Sequence, residues 1–228
     1  MIKNIFIGIV STVLFGTSNA NAGFAVVNNA PVFEGVGFYS DGFDSKGTYN
    51  FASSGAQIFG LEETTTVGSL TWWGSMNGFY GQNLGNVDCF QVVVWNADFS
   101  KIVYAKRIDI ADIAISTTGQ TSFYGQDVYE FVVTEQDLGN VTLAPDSYFM
   151  NIGAILNDGS GDQFVWSQGQ DVDGFWYTDA SDWGAWKPLP NQIDNTAGGA
   201  FSMIAAIPSP GAIALIGLAG IIGNNRRR

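Results

Sequence analysis

Phe90-Gln91-Val92-Val93-Val94-Trp95-Asn96 governs the reading of the whole chain. In an extended strand successive side chains point to opposite faces. Phe90, Val92 and Val94 therefore share one face, while Gln91, Val93 and Trp95 share the other. Both faces are largely apolar, which predicts a strand inside a two-layer sandwich. The polar segment Asn96-Ala97-Asp98-Phe99-Ser100 then reads as a hairpin turn into a second strand, Lys101–Asp109.

The same pattern extends in both directions. Short alternating or apolar runs, separated by Gly, Asn, Asp and Ser, predict strands at Phe24–Asn28, Val36–Ser40, Ala56–Glu62, Gly68–Gly74 and Val128–Thr134. Further runs fall at Tyr148–Leu156, Gln163–Ser167, Phe175–Thr178 and Ala200–Ile207. Ala111 to Ile115 reads as a helical turn. No long amphipathic helix, repeat or linker divides this body. An all-β protein with an antiparallel β-sandwich or jelly roll is the expected fold. Trp72 and Trp73 are adjacent in one strand and must point to opposite faces, so at least one belongs to the core.

Composition removes several classes of function. The body from residue 23 to 207 holds five basic and all 21 acidic residues, a net charge of −16. Such a surface repels phosphate backbones, so nucleic acid is excluded as a partner. It suits an extracellular protein kept in solution by charge, or one that attracts calcium. Seven tryptophans and seventeen phenylalanines exclude a disordered acidic chain. Cys89, the single cysteine, permits no internal disulfide and reads as a buried, inert thiol. The chain has no histidine, which removes Ser-His-Asp and Cys-His catalysis and the usual zinc sites. Glycosidase chemistry survives this filter, because it needs only two carboxylates about 5–9 Å apart.

The two ends carry sorting information. Lys3, the apolar run Ile5 to Phe15 and Ala20-Asn21-Ala22 form a secretory signal peptide over residues 1–22, with Ala20 and Ala22 at the small-x-small cleavage site. The implied partners are the Sec translocon and signal peptidase. Residues 208–228 combine Pro208-Ser209-Pro210-Gly211, an apolar run from Ala212 to Gly223 and the cluster Arg226-Arg227-Arg228. Twelve apolar residues make a transmembrane helix of only ~18 Å, short of the ~30 Å hydrocarbon core. A span this short suits a temporary inner-membrane anchor whose arginines stay cytoplasmic. The alternative is an apolar tail docked on its own domain.

This order of proline motif, brief hydrophobic helix and arginine cluster resembles the PEP-CTERM sorting signal of exported Gram-negative proteins. The resemblance covers Ile207 to Arg228 and departs from the family pattern where Ser209 replaces a glutamate. It implies recognition and cleavage by exosortase, a membrane cysteine protease of hosts that make exopolysaccharide. Delivery to the cell surface or extracellular matrix would follow. A second resemblance begins at Ser69-Leu70-Thr71-Trp72-Trp73-Gly74. It continues through Phe90–Trp95 and ends on Val141 to Ile152, where Pro145-Asp146 replaces a Gly-bearing turn and Phe149 a tryptophan. These motifs look like a β-sandwich ectodomain common in PEP-CTERM proteins, which implies a fold and no settled activity.

Residues 157–186 concentrate carboxylates and aromatic rings in Gly-rich segments. Asp158, Asp162, Asp171 and Asp173 are candidate calcium ligands, because carboxylates and loop carbonyls can together supply six to eight oxygens. Their spacing fits no EF-hand, and ordinary turn chemistry accounts for the same residues. Trp176, Tyr177, Trp183 and Trp186 are candidate glycan contacts, since indole and phenol faces stack on sugar rings. Trp183 and Trp186, flanked by Gly184 and Pro188, are the expected exposed pair. The function these residues point to is association rather than catalysis, in an exported surface or biofilm-matrix protein. A calcium-dependent carbohydrate-binding module and a glycan-degrading enzyme are the alternatives.

Overall fold

The structure is a computed structural model. It describes residues 25–35, 37–45, 48–78, 84–156, 162–170, 175–179, 186–188 and 199–206. The signal peptide and the tail of the sequence reading lie outside these residues. Among the described residues, no helix is long and apolar enough to cross a membrane.

The chain folds as two packed β-sheets. In order, the elements are β1 (Ala25–Asn29), β2 (Phe38–Tyr39), β3 (Asp41–Ser45), β4 (Thr48–Leu61), β5 (Thr65–Gly78), β6 (Val87–Asn96) and β7 (Ile102–Asp109). They continue as β8 (Ala114–Thr121), β9 (Asp127–Thr134), α1 (Glu135–Leu138), β10 (Thr142–Leu143), β11 (Asp146–Leu156) and β12 (Asp162–Trp166). The last are β13 (Phe175–Asp179), β14 (Lys187–Pro188) and β15 (Phe201–Ala205). The first sheet runs β1-β15-β5-β12-β2, with β9 and β8 added on the other side of β5 and β10 at its start. The second runs β14-β13-β4-β3-β11-β6-β7.

All eleven strands expected from sequence are present, and the sandwich reading holds. Three features differ from the expectation. The pairing is not wholly antiparallel: β4 stays beside β11 only from Leu61 to Ala56, and β3 then runs parallel to Ala154–Leu156. Ser40 stitches this insertion, its hydroxyl donating to Ile152 O at 2.6 Å and its carbonyl accepting from Ala154 N at 3.0 Å. The helical turn expected over Ala111–Ile115 is a single 3-10 turn at Ile110–Asp112, and Ala114 already belongs to β8. Among the described residues strand β8 pairs only with β9, so most of it is solvated and it carries no apolar alternation to read.

The core lies between the sheets. Phe90 projects from the second sheet into a nest of rings from the first, with centroids 5.2 Å from Trp72, 4.9 Å from Phe131 and 5.0 Å from Phe164. Val92 and Val94 follow it inward, as their shared face requires. Trp72 is fully buried, while Trp73 points outward and donates from Nε1 to Glu130 Oε2 at 3.2 Å. Trp166 closes the other flank, donating from Nε1 to Ala200 O at 2.9 Å. Asn151, also buried, ties β11 to β4 by donating to Ser54 Oγ at 2.7 Å and Gly55 O at 2.6 Å. Cys89 is buried, as expected of a structural thiol.

Helix α1 is one turn, held at both ends. Asp137 accepts from the Thr134 backbone N–H at 2.9 Å and its hydroxyl at 2.6 Å, which holds the carboxyl below its usual range. Gly139, at φ +80°, closes the helix in the left-handed conformation that favours glycine. Tyr104 of β7 braces this turn by donating to Leu138 O at 2.6 Å, and its burial raises the phenol pKa to about 12.

Candidate functional site: an aromatic patch outside the second sheet

Register gathers aromatic side chains on the outer face of the second sheet. Trp95 of β6 lies opposite Phe149 of β11, which in turn lies opposite Ile58 of β4. Trp176 of β13 lies opposite Ala56 and Pro188. Directly paired residues share a face, so Trp95, Phe149 and Ile58 form one apolar row, with Trp176 two residues away along the strands.

The β6–β7 hairpin folds a ring back over this row. Its backbone closes through Asn96 N to Lys101 O at 3.0 Å and Phe99 N to Asn96 O at 3.0 Å. Side chains finish the turn: Asn96 Oδ1 accepts from Lys101 N at 2.9 Å, and Asp98 Oδ1 accepts from Ser100 N at 3.0 Å. Hydrogen bonds from Ser100 keep the Asp98 carboxyl below its ordinary range. Phe99 occupies φ +58°, a left-handed conformation that costs a residue with a Cβ about 1–2 kcal/mol. The compensation is stacking. Its ring lies 4.1 Å from Phe149 at 20° and 4.7 Å from Trp186 at 11°. Trp176 and Trp95 stand 5.5 Å and 6.2 Å from the same ring.

Trp176 and Trp186, two of the expected glycan contacts, are thus brought together through Phe99. Tyr177 follows Trp176 along the strand and faces the other way, 6.0 Å from Phe38. Trp183, Asp158, Asp171 and Asp173 lie outside the described residues, as do Ala20, Ala22, Pro208, Ser209, Pro210, Gly211, Arg226, Arg227 and Arg228. Asp162 is placed by its backbone alone, opposite Gly78. Among the described residues, no three His, Cys, Asp or Glu side chains stand together as a metal-holding group.

Sequence reading missed Trp95, Phe99 and Phe149 as members of this patch. Phe99 offered a signal, because a large apolar side chain in an otherwise polar turn needs something to cover. The patch works first as a small second core. Among the described residues Trp95 Nε1, shielded from water, has no acceptor, which fits closure by apolar contact. The five rings bring no nucleophile or acid–base group, so what they offer a ligand is stacking and apolar contact.

Phe99→Ala keeps the strained backbone and loses the stacks, each worth about 0.5–1.5 kcal/mol. Urea unfolding should show a loss of about 2 kcal/mol, of which Phe99→Gly recovers about 1 by relieving the left-handed strain. Equal losses for the two variants would remove strain from the explanation.

Fold and patch together define a two-sheet β protein with an aromatic outer face. Compared with protein-family models, curated proteins and solved structures, the chain matches none.

Proposed function

We propose that this is an exported, non-catalytic β-sandwich of the cell surface or biofilm matrix, held briefly at the inner membrane and released through cleavage of its C-terminal segment. The observation that best supports the reading is the position of the two ends of the described fold. Ala25 of β1 pairs with Ile204 of β15, and Ala206 N–H bonds to Thr66 O at the start of β5. A signal peptide before Ala25 and an anchor after Ala206 would therefore attach at one end of the sandwich, leaving the other end free to face outward. The acidic body and the short arginine-tipped apolar run fit the same route, with exosortase as the expected protease. Mass spectrometry of the protein from its native host tests it. The expected mature chain begins at Gly23 and ends near Pro208; a chain with both ends intact would overturn the reading.

A second reading is carbohydrate association, with exopolysaccharide as partner. It is favoured by Trp176 and Trp186 both packing against Phe99 in the outer patch. Calcium on Asp158, Asp162, Asp171 and Asp173, ordering the neighbouring loops, is the proposal attached to that reading.

A further inference from the structure

Among the described residues six large apolar side chains are exposed, and four of them sit on two loops that touch. Phe123 and Tyr124, 62% and 46% exposed, form the tip of the β8–β9 hairpin, with ring centroids 5.3 Å apart at 86°. Val32 and Phe33, 38% and 39% exposed, lie on the turn after β1. Glu34 N–H joins the two loops by donating to Thr121 O at 3.0 Å.

Both loops are built rather than loose. At the hairpin, Ser122 N bonds to Gln126 O and Gly125 N to Ser122 O, each at 2.8 Å, with Gly125 at φ +75°. Ser122 Oγ donates to Gln126 Oε1 at 2.7 Å, and Gln126 Nε2 reaches Asn77 Oδ1 at 3.3 Å. In the other turn, Val32 N bonds to Gln168 O at 2.8 Å and Gly35 N to Val32 O at 3.1 Å, while Glu34 adopts φ +63°. So much hydrogen bonding spent on holding bare rings in water lowers the cost of ordering them on a ligand.

We propose that the Phe123-Tyr124 tip and the Val32-Phe33 turn form a binding surface for neutral polysaccharide. The inference rests on the carbohydrate reading and moves it to a different surface. Charge selects the ligand. No charged residue occurs from Ile113 to Gln126, in a body of net charge −16. Asp127, next in sequence after Gln126, and Glu34, whose N–H bonds Thr121 O, are both acidic. They disfavour acidic polymers and anionic bilayers, and tip-to-tip pairing of two copies would set them against each other. A neutral sugar chain meets no such penalty. Rings can stack on its apolar faces, while exposed Ser116, Thr117, Gln120 and Thr121 along β8 offer hydroxyl and amide partners. The tip also lies at the end of β5 that carries Asn77, eleven residues and roughly 36 Å from Thr66, whose carbonyl accepts from Ala206, the last described residue.

The test uses the mature protein against microcrystalline cellulose, dextran, starch and neutral polysaccharide purified from the host. Alginate, phosphatidylcholine vesicles and sedimentation velocity cover the other occupants. Phe123→Ser/Tyr124→Ser should weaken retention on a neutral polymer about 10-fold or more, as truncation of exposed anchor rings does. Phe33→Ser gives a smaller loss in the same direction, and Val103→Ser, an exposed change on β7, gives none. The melting temperature should be unchanged in all three. Retention that survives both tip variants but falls with Trp186→Ala would overturn the placement and leave the carbohydrate reading standing. No retention on any neutral polymer would overturn both. Tip-dependent binding to alginate or vesicles, or a tip-dependent dimer, would overturn the choice of ligand.

Discussion

Phe90→Ala should cost about 3–5 kcal/mol, the range for truncating a buried aromatic ring. Phe90 is fully buried and, among the described residues, is the one ring from the second sheet that meets Trp72, Phe131 and Phe164 of the first together. Its removal leaves a cavity whose walls belong to β5, β9 and β12, three strands locked by their own hydrogen bonds. Those walls cannot collapse inward without breaking register, so the cavity contribution should be near its maximum. Against a total stability of about 5–15 kcal/mol, such a loss is about a fifth or more of the whole. Urea unfolding measures it directly, with Val103→Ser on exposed β7 expected within about 0.5 kcal/mol of the parent. A loss for Phe90→Ala of no more than about 1 kcal/mol would show that the four-ring nest is not what joins the sheets.

Gly74→Ala should be the second large effect, about 3 kcal/mol, at the top of the range for overpacking a filled core. A methyl group here would run into the Phe164 ring and sit 2.8 Å from Val165 O. Neither can give way easily. Phe164 is fully buried, and the Gly74 backbone pairs with Trp166 on one side and Tyr129 on the other. The glycine of the Trp72-Trp73-Gly74 sequence is therefore required for close approach of β12. Gly60 is the matched contrast: it is exposed, with open space where a Cβ would go. Gly60→Ala should be neutral or stabilising by about 0.5 kcal/mol, since glycine weakens a strand. In the double variant Gly74→Ala/Phe164→Leu, part of the loss should return, because a smaller side chain frees the occupied space. Equal effects at Gly74 and Gly60 would make the close approach irrelevant.

The fold was largely legible before the structure, and particular residues show why. Phe90, Val92 and Val94 announced an inward face because strand periodicity is a local property. Asn96 to Ser100 announced a turn because short polar side chains bond their own backbone. Strand β8 escaped notice for the complementary reason. An edge strand with little to bury has no alternation to display, and Gly119 interrupts it. The candidate sites were less legible. Trp176 and Trp186 were visible as an aromatic pair, but the rings between and beneath them, Phe99 and Phe149, come from the hairpin turn and from β11.

By itself the sequence determined the strand-rich body, its inward and outward faces, the acidic surface and the exclusion of histidine-dependent chemistry. These follow from residue type and from spacings of two to five positions. Tertiary structure alone decided that β3 enters beside β11, that Trp186 meets Trp95 across the sheet, and that Phe123 and Tyr124 stand bare beside Val32 and Phe33. Each of those facts depends on which strands become neighbours, and that is settled by burial summed over the whole core. A free energy shared among residues far apart in the chain leaves no mark in any short window of it.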